Sequence, residues 1–452
     1  MIFKEEHKGF IKHVVINSFI GLLLVLVIHH FKDFSWLMAK QDQALDWVMY
    51  FSADKDSEEL KPAIYVDVDN VTYEQWKEPL LLPIPKLVKI LESVLSGGPS
   101  SLVVDFDLHR RSEDELAALL AFINRYAESK PKGTNTQLIF VKTYQVQSTS
   151  KSSDDTLVLR DSPLDALVDQ YAWLHWGSPL FTQDEDYSVR RWRLWESACT
   201  KEGKAVVVPS VQLLVHAHHS VEGGIPVLED KLNKLLPAHC EEWDAQFTKT
   251  PPVFNGIALS KDKTPLSQRI FYGLSWEETT GEPYPSVKIQ GNKGEGSSIE
   301  PSVTKVSAGL ISENQAVDGG FFRGKWVIVG ASHNDSGDVH GTPLGYMPGS
   351  LIIVNSVNSL DDRGELLNPS LVVTLVIEFI LLVLISVAFA MLIPSVAFIL
   401  STSFILLVLL PFTFWLFKDG VWLDFALPLF AVELHQLVSS AEKSFQKKFM
   451  NK

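Results

Sequence analysis

Apolar residues fall into three regimes along the chain. Near the amino end, MIFKEEHKGFIKH gives way to VVINSFIGLLLVLVI, and Phe10 to Phe31 is long enough to cross a bilayer core of about 30 Å. A cleaved secretory signal starts similarly, but no small-x-small site follows; the chain continues through His29, His30 and FKDFSWLMAKQ. From Leu371 to Ser440 the chain is apolar again, with Lys418 its only Lys or Arg. Turn residues at Ile393-Pro394-Ser395 and Lys418-Asp419-Gly420 cut this stretch into three. The pattern predicts membrane helices at 11–31, 371–392, 395–417 and 421–440. The last carries Asp424, Glu433 and His435, so a helix lying in the interface is its alternative.

Between these flanks the pattern changes to short β-branched runs alternating with helical spacing. AIYVDVDN (Ala63 to Asn70), SLVVDFDL (Ser101 to Leu108), QLIFVKT (Gln137 to Thr143) and KWVIVGAS (Lys325 to Ser332) read as buried strands. PIPKLVKILESVL, bounded by proline and Gly97-Gly98, reads as a helix between the first two strands, which predicts a parallel crossover. SEDELAALLAFINRYAES opens with a Ser-x-x-Glu cap, and SLIIVNSVNSLDD (Ser350 to Asp362) is a further helix. Val146 to Leu164 and Pro283 to Glu300, rich in Ser, Gly, Lys and Pro, read as loops or insertions. The predicted fold class is an α/β domain with a mostly parallel sheet, flanked by one membrane helix before it and three after.

Charge orients this arrangement. Lys4, Lys8 and Lys12 lie in the amino tail and Lys443, Lys447, Lys448 and Lys452 in the carboxyl tail, so the positive-inside rule puts residues 1–10 and 441–452 in the cytoplasm. Four crossings satisfy that and three do not. Residues 32–369 are therefore expected outside, in the manner of a multi-pass protein of a bacterial inner (plasma) membrane. The tails carry +1 and +3 and residues 371–440 carry −3, leaving −15 of the net −14 to residues 14–370. An acidic balance with lysine clusters only at the ends excludes a nucleic-acid partner. The chain's 12 Trp and 26 Phe exclude disorder, and 2 Cys in 452 residues exclude a disulfide scaffold. Cys199 and Cys240 would face an oxidising compartment, which leaves a single bridge between them open.

Four features together resemble the CHASE2 domain, an extracytoplasmic sensory module of bacterial receptors. They are IYVDVDN with a proline-bounded helix and VVDFDL, the DEDYSVRRWRL segment (Asp184 to Leu194), KWVIVGAS…DVHGTPLGYMPG with its following helix, and the frame of one anchor before and three spans after. The resemblance runs from about residue 30 to 440. It implies a sensor that normally precedes a cytoplasmic kinase or cyclase domain. Here AEKSFQKKFMNK, too short for a catalytic domain, follows Ser440, so output is expected from a separate cytoplasmic signalling protein in trans. At Tyr187-Ser188 the chain departs from the family's usual glycine, which predicts a differently built turn.

Candidate ligand-binding residues follow from strand ends. Asp67, Asp69, Asp105 and Asp107 lie at or near the carboxyl ends of two predicted parallel strands, the edge where open α/β sheets bind ligands. His333, Asp335, Asp338 and His340 follow another. Together they form a candidate oxygen-rich site for a divalent cation, with His333 and His340 as candidate metal ligands, or for a cationic ligand. The alternative is capping and turn-making, with Asp67 paired to Arg110 or Arg111. Arg190 and Arg191, with Arg193, form a basic island that could contact an anionic ligand or lipid head groups, or pair with those aspartates. Trp173, Trp176, Trp192 and Trp195 flank it as cleft or core residues.

No catalytic set is complete. Gly330-Ala331-Ser332-His333-Asn334 resembles a nucleophile elbow but has Asn334 where the turn needs glycine. Gly291 to Gly296 lacks the Gly-Lys-Ser/Thr ending of a phosphate loop. His216, His218 and His219 have no neighbouring carboxylate or Cys in sequence and read as helix surface. Glu378, Asp424, Glu433 and His435 should face other helices, either a partner or their own bundle. The expected function is a membrane-anchored sensor for an unknown extracellular ligand, with a homo-oligomer possible and the lipid bilayer as a partner. A metal-dependent enzyme using the aspartates and a membrane effector or scaffold are the rivals.

Overall fold

The computed structural model describes residues 35–52 and 63–423 apart from short stretches, the longest being 148–155, 241–249, 290–297 and 314–319, together with residue 19. The first predicted span, both tails and all but the start of 421–440 lie outside the described residues. Two compact units result, an α/β unit over Ala53–Glu365 and a helical unit that joins Ser35–Ser52 to the chain from Leu366 onward.

The α/β unit is built on six strands: β1 (Ala63–Val68), β2 (Ser101–Val104), β3 (Gln137–Val141), β4 (Leu174–Gly177), β5 (Val303–Ser307) and β6 (Trp326–Ala331). They run in the order β5-β1-β6-β2-β3-β4, and every neighbouring pair is parallel. β1 and β2 are thus joined by the expected strand-helix-strand connection, yet β6 lies between them and pairs with both. Strands β1, β2 and β6 are buried along their whole length, which explains their richness in β-branched residues: a parallel sheet has helices on both faces and no solvent side.

Alternation assigns the faces. Ile64, Val66, Leu102, Val104, Val327 and Val329 pack in one core cluster with Leu87, Leu91 and Val94 of α1 (Ile84–Ser96) and Leu116, Leu119 and Ile123 of α2 (Glu113–Ser129). α2 begins with the predicted capping box, Ser112 and Glu115 bonding reciprocally. The other face is covered by α3 (Val211–Ser220) and α4 (Gly349–Asp362), both almost wholly buried.

Several sequence readings are corrected. Residues 146–164 and 283–300 carry short strands, not only loops: 145–147 and 156–158 belong to a four-stranded sheet with 195–199 and 205–209, and 286–289 pairs with 298–301. His216 is buried, its Nδ1 paired with Asp361 and its Nε2 with Asn255, so it is core and not helix surface. Cys199 and Cys240 are bridged. At the turn, Tyr187 takes φ 62°, the left-handed conformation glycine favours. Its side chain is exposed. Tyr187→Gly is therefore expected to raise stability by about 0.5 kcal/mol, strain relief narrowly exceeding the added chain entropy. A urea midpoint that falls would show that the Tyr187 ring carries a contact.

In the helical unit, apolar helices span Leu371–Met391 and the 24 residues Ser395–Lys418. Among the described residues the second is the one long and apolar enough to cross a membrane by length and composition. It widens to a π turn at Ile405–Leu409, just before Pro411. Proline has no N–H for the carbonyl four residues back and its ring crowds that turn, which accounts for the widening.

Candidate functional site

The carboxyl ends of β1, β6, β2 and β3 open into a cleft of about 920 Å³. Val68, Ala331, Asp105 and Val141, each at or just beyond the end of its strand, contribute to its walls. Of the candidate residues, Asp105, Asp107, His333, Asp335, Asp338 and His340 line this one cavity, whereas Asp67, Asp69, Arg190 and Arg191 do not.

Asp105 and Asp338 form the charged floor. Ser350, at the start of α4, donates its hydroxyl to Asp105 Oδ2 at 2.6 Å. Ser350 in turn lies against Gly330 of β6, where a Cβ would stand 1.8 Å from the Ser350 Oγ; the close approach of α4 to the sheet requires glycine there. Burial, then the nearby Asp338 charge, push the Asp105 carboxyl up to about 7. Asp338 accepts from His340 Nε2 at 3.0 Å, and this bond raises the His340 pKa. The Asp338 carboxylate rests on Gly349, where an added Cβ would lie 2.4 Å from its Oδ1. Gly349→Ala should consequently turn Asp338 out of the floor while leaving the fold intact, because only the end of a side chain must move. Loss of a ligand's affinity by about tenfold with circular dichroism unchanged is the expected result; unchanged affinity would remove Asp338 from the site.

Asp107, Asp69 and Asp67 have structural partners. Asp107 takes the Thr143 hydroxyl at 2.8 Å and pairs with His109. Asp69 caps the helix Asn70–Gln75 through the Thr72 amide at 2.8 Å. Asp67 does not meet Arg110 or Arg111. It is fully buried, bonded to the hydroxyls of Tyr65 (2.9 Å) and Ser332 (2.6 Å), with Lys305 at 3.7 Å. Burial raises its carboxyl to about 6. Because Ser332 is spent on Asp67, the elbow-like string holds a structural bond and not an activated nucleophile. Arg190 and Arg191 are buried, Arg190 clasping both Asp186 oxygens at 2.6 Å and Arg191 pairing with Asp184, so the basic island is neutralised within its own hairpin and not by the strand-end aspartates. Among the described residues, no group of three or more His, Cys, Asp or Glu side chains is disposed to hold a metal ion.

The aromatic wall comes from residues other than the predicted tryptophans. Trp192 and Trp195 are core, Trp176 donates to Asp165 at 2.8 Å, and Trp173 packs on Tyr126. The cleft is instead lined by Tyr73, Trp76, Phe106 and Phe181, with the His333 ring stacked on Tyr73 at 4.0 Å. Its lip is Pro79-Leu80-Leu81-Leu82-Pro83, held by Arg111 donating to the Leu82 carbonyl at 3.0 Å. Lys77 and Glu78, at positive φ, fold the chain into this lip. Leu80 and Leu81 are 96% and 56% exposed. A leucine run between prolines was the available sequence signal, but apolar runs ordinarily mark core.

Comparison with known proteins gives one match. The sequence model of the CHASE2 domain matches residues 20–392, most of the chain. No curated protein and no solved structure matches.

Proposed function

The chain belongs to the CHASE2 domain family, and from that premise we propose that it is a membrane-anchored sensor whose strand-end cleft receives a ligand outside the cytoplasm. The family is one of extracellular sensory domains, which also fits a role other than catalysis. The observation that carries the reading is the 920 Å³ cleft at the carboxyl edge of a parallel sheet, where open α/β folds place their ligands. Four membrane helices, at 11–31, 371–392, 395–417 and 421–440, hold the 32–369 region outside a bacterial inner membrane and return both basic tails to the cytoplasm. The Cys199–Cys240 bridge supports an oxidising surrounding.

A ligand shifts such a receptor only by binding one of its conformations better than another. α4, whose first residues Gly349 and Ser350 position Asp338 and Asp105, ends at Asp362, close in sequence to the helix at Leu371. Ligand at the floor therefore biases the element that leads to the membrane helices, and the π turn before Pro411 supplies a joint in one of them. The signal passes to a separate cytoplasmic protein. The experiment is cross-linking in native membranes followed by identification of what co-purifies with the full chain, compared between wild type and Gly349→Ala. Recovery of a cytoplasmic signalling enzyme in amounts that differ between the two supports the sensor; recovery of no such protein from either contradicts it.

A further inference from the structure

We infer that the cleft takes an amphipathic cation, a protonated amine whose charged end lies over Asp105 and Asp338 and whose aromatic or aliphatic body lies along Trp76, Leu80, Leu81 and Phe181. This rests on the sensor reading and adds to it the chemical class of the ligand.

Size comes first. At about 920 Å³ the cleft is at the upper end of small-molecule sites, roomy for an organic ligand and far larger than an ion requires. Its polarity is then divided. The floor has Asp105 and Asp338, and the cations facing the cleft are already engaged: Arg111 with the Leu82 carbonyl and Glu115, His340 with Asp338. Asp335 adds a further exposed carboxylate on the same rim. An anion would meet this acidic excess with no uncommitted cation to receive it, whereas an ammonium group relieves the repulsion between Asp105 and Asp338.

The lip asks for the apolar half. Leu80 stands 96% exposed beside Leu81, held out by a backbone anchored through Arg111 and turned by two left-handed residues, Lys77 and Glu78. Such an arrangement leaves apolar surface in water at a cavity mouth, where a bound body would cover it. Finally, the wall carries unanswered hydrogen-bonding groups. Trp76 lines the cleft at 8% exposure, and its indole N–H has no acceptor; the buried His333 Nδ1, also of the lining, has no partner. Buried polar atoms without partners are uncommon in folded proteins, so this wall is one a ligand covers, the Trp76 N–H meeting the face of an aromatic body.

The test uses the full chain in lipid nanodiscs and saturation-transfer NMR with three probes of one shape: phenethylamine, phenethyl alcohol and phenylpropanoate. The expected result is binding of phenethylamine at millimolar concentration or below, with the alcohol at least tenfold weaker and the carboxylate silent. Asp338→Asn and Leu80→Ser are each expected to weaken the amine by about tenfold, and Leu80→Ser, being at the exposed lip, leaves the fold untouched. Equal binding of the alcohol, preferred binding of the carboxylate, no amine signal at about 10 mM, or amine binding indifferent to both substitutions would each overturn the proposal. None of these outcomes bears on partner recovery from membranes, so the ligand class can fail while the sensor reading stands, and the reverse.

Discussion

Asp105→Asn is expected to make the α/β unit more stable at pH 8 while abolishing ligand binding in the cleft. The sign follows from the raised carboxyl. Asp105 titrates near 3.8 when unfolded and near 7 when folded, so between those values the folded protein holds a proton that the unfolded chain has released. Stability therefore falls as pH rises from about 4 to about 7, and above that the fold carries an ionised carboxylate next to Asp338 at a cost of roughly 4 kcal/mol. Asp67, raised to about 6, adds to the fall in the same direction. Asparagine keeps an oxygen to accept the Ser350 hydroxyl but no charge to bury. Melting curves at pH 5 and pH 8 check this. The variant should gain several degrees over wild type at pH 8 and little at pH 5; a variant destabilised equally at both would make Asp105 a structural anchor. Stability gained together with affinity lost is the signature of a site whose charge is kept for a partner.

Breaking the Cys199–Cys240 bridge should have an effect of similar size in the opposite direction. It ties the strand 195–199 to a point 41 residues on, and closing a loop of that length stabilises a fold by roughly 4 kcal/mol through the unfolded chain. Replacing both cysteines with alanine is expected to lower the urea midpoint accordingly, and reductant should reproduce the loss in wild type without affecting the double variant. A loss below about 1 kcal/mol would mean that the bridge staples a segment the fold does not depend on.

Strands β1, β2, β3 and β6 were legible because burial on both faces leaves dense β-branched and apolar runs, whose interior only Asp67 of β1 interrupts with a charge. β4, LHWG, and β5, VTKVS, were not: as edge strands they are less completely enclosed or hold polar residues, and neither gives a clean period. The order of strands was also hidden, since nothing in the local pattern tells that β6, from far along the chain, is inserted between β1 and β2. In the cleft, the rule that ligands meet strand ends pointed to Asp105, and the segment after β6 to Asp338, both of which line it. It could not separate them from Asp69, which caps a helix, or Asp67, whose partner Tyr65 is two residues back on β1 but whose partner Ser332 stands beside it only after β1 and β6 pair. The leucine lip was missed because hydrophobicity alone does not say whether a residue is buried.

Every functional step depends on the α/β unit lying outside the cytoplasm, and Tyr187, 75% exposed on a hairpin turn, offers a handle on that question. Tyr187→Cys should react with a membrane-impermeant maleimide in intact cells expressing the full chain, to the same extent as after lysis. Labelling that occurs only once the cells are broken would put the unit in the cytoplasm and contradict the sensor account.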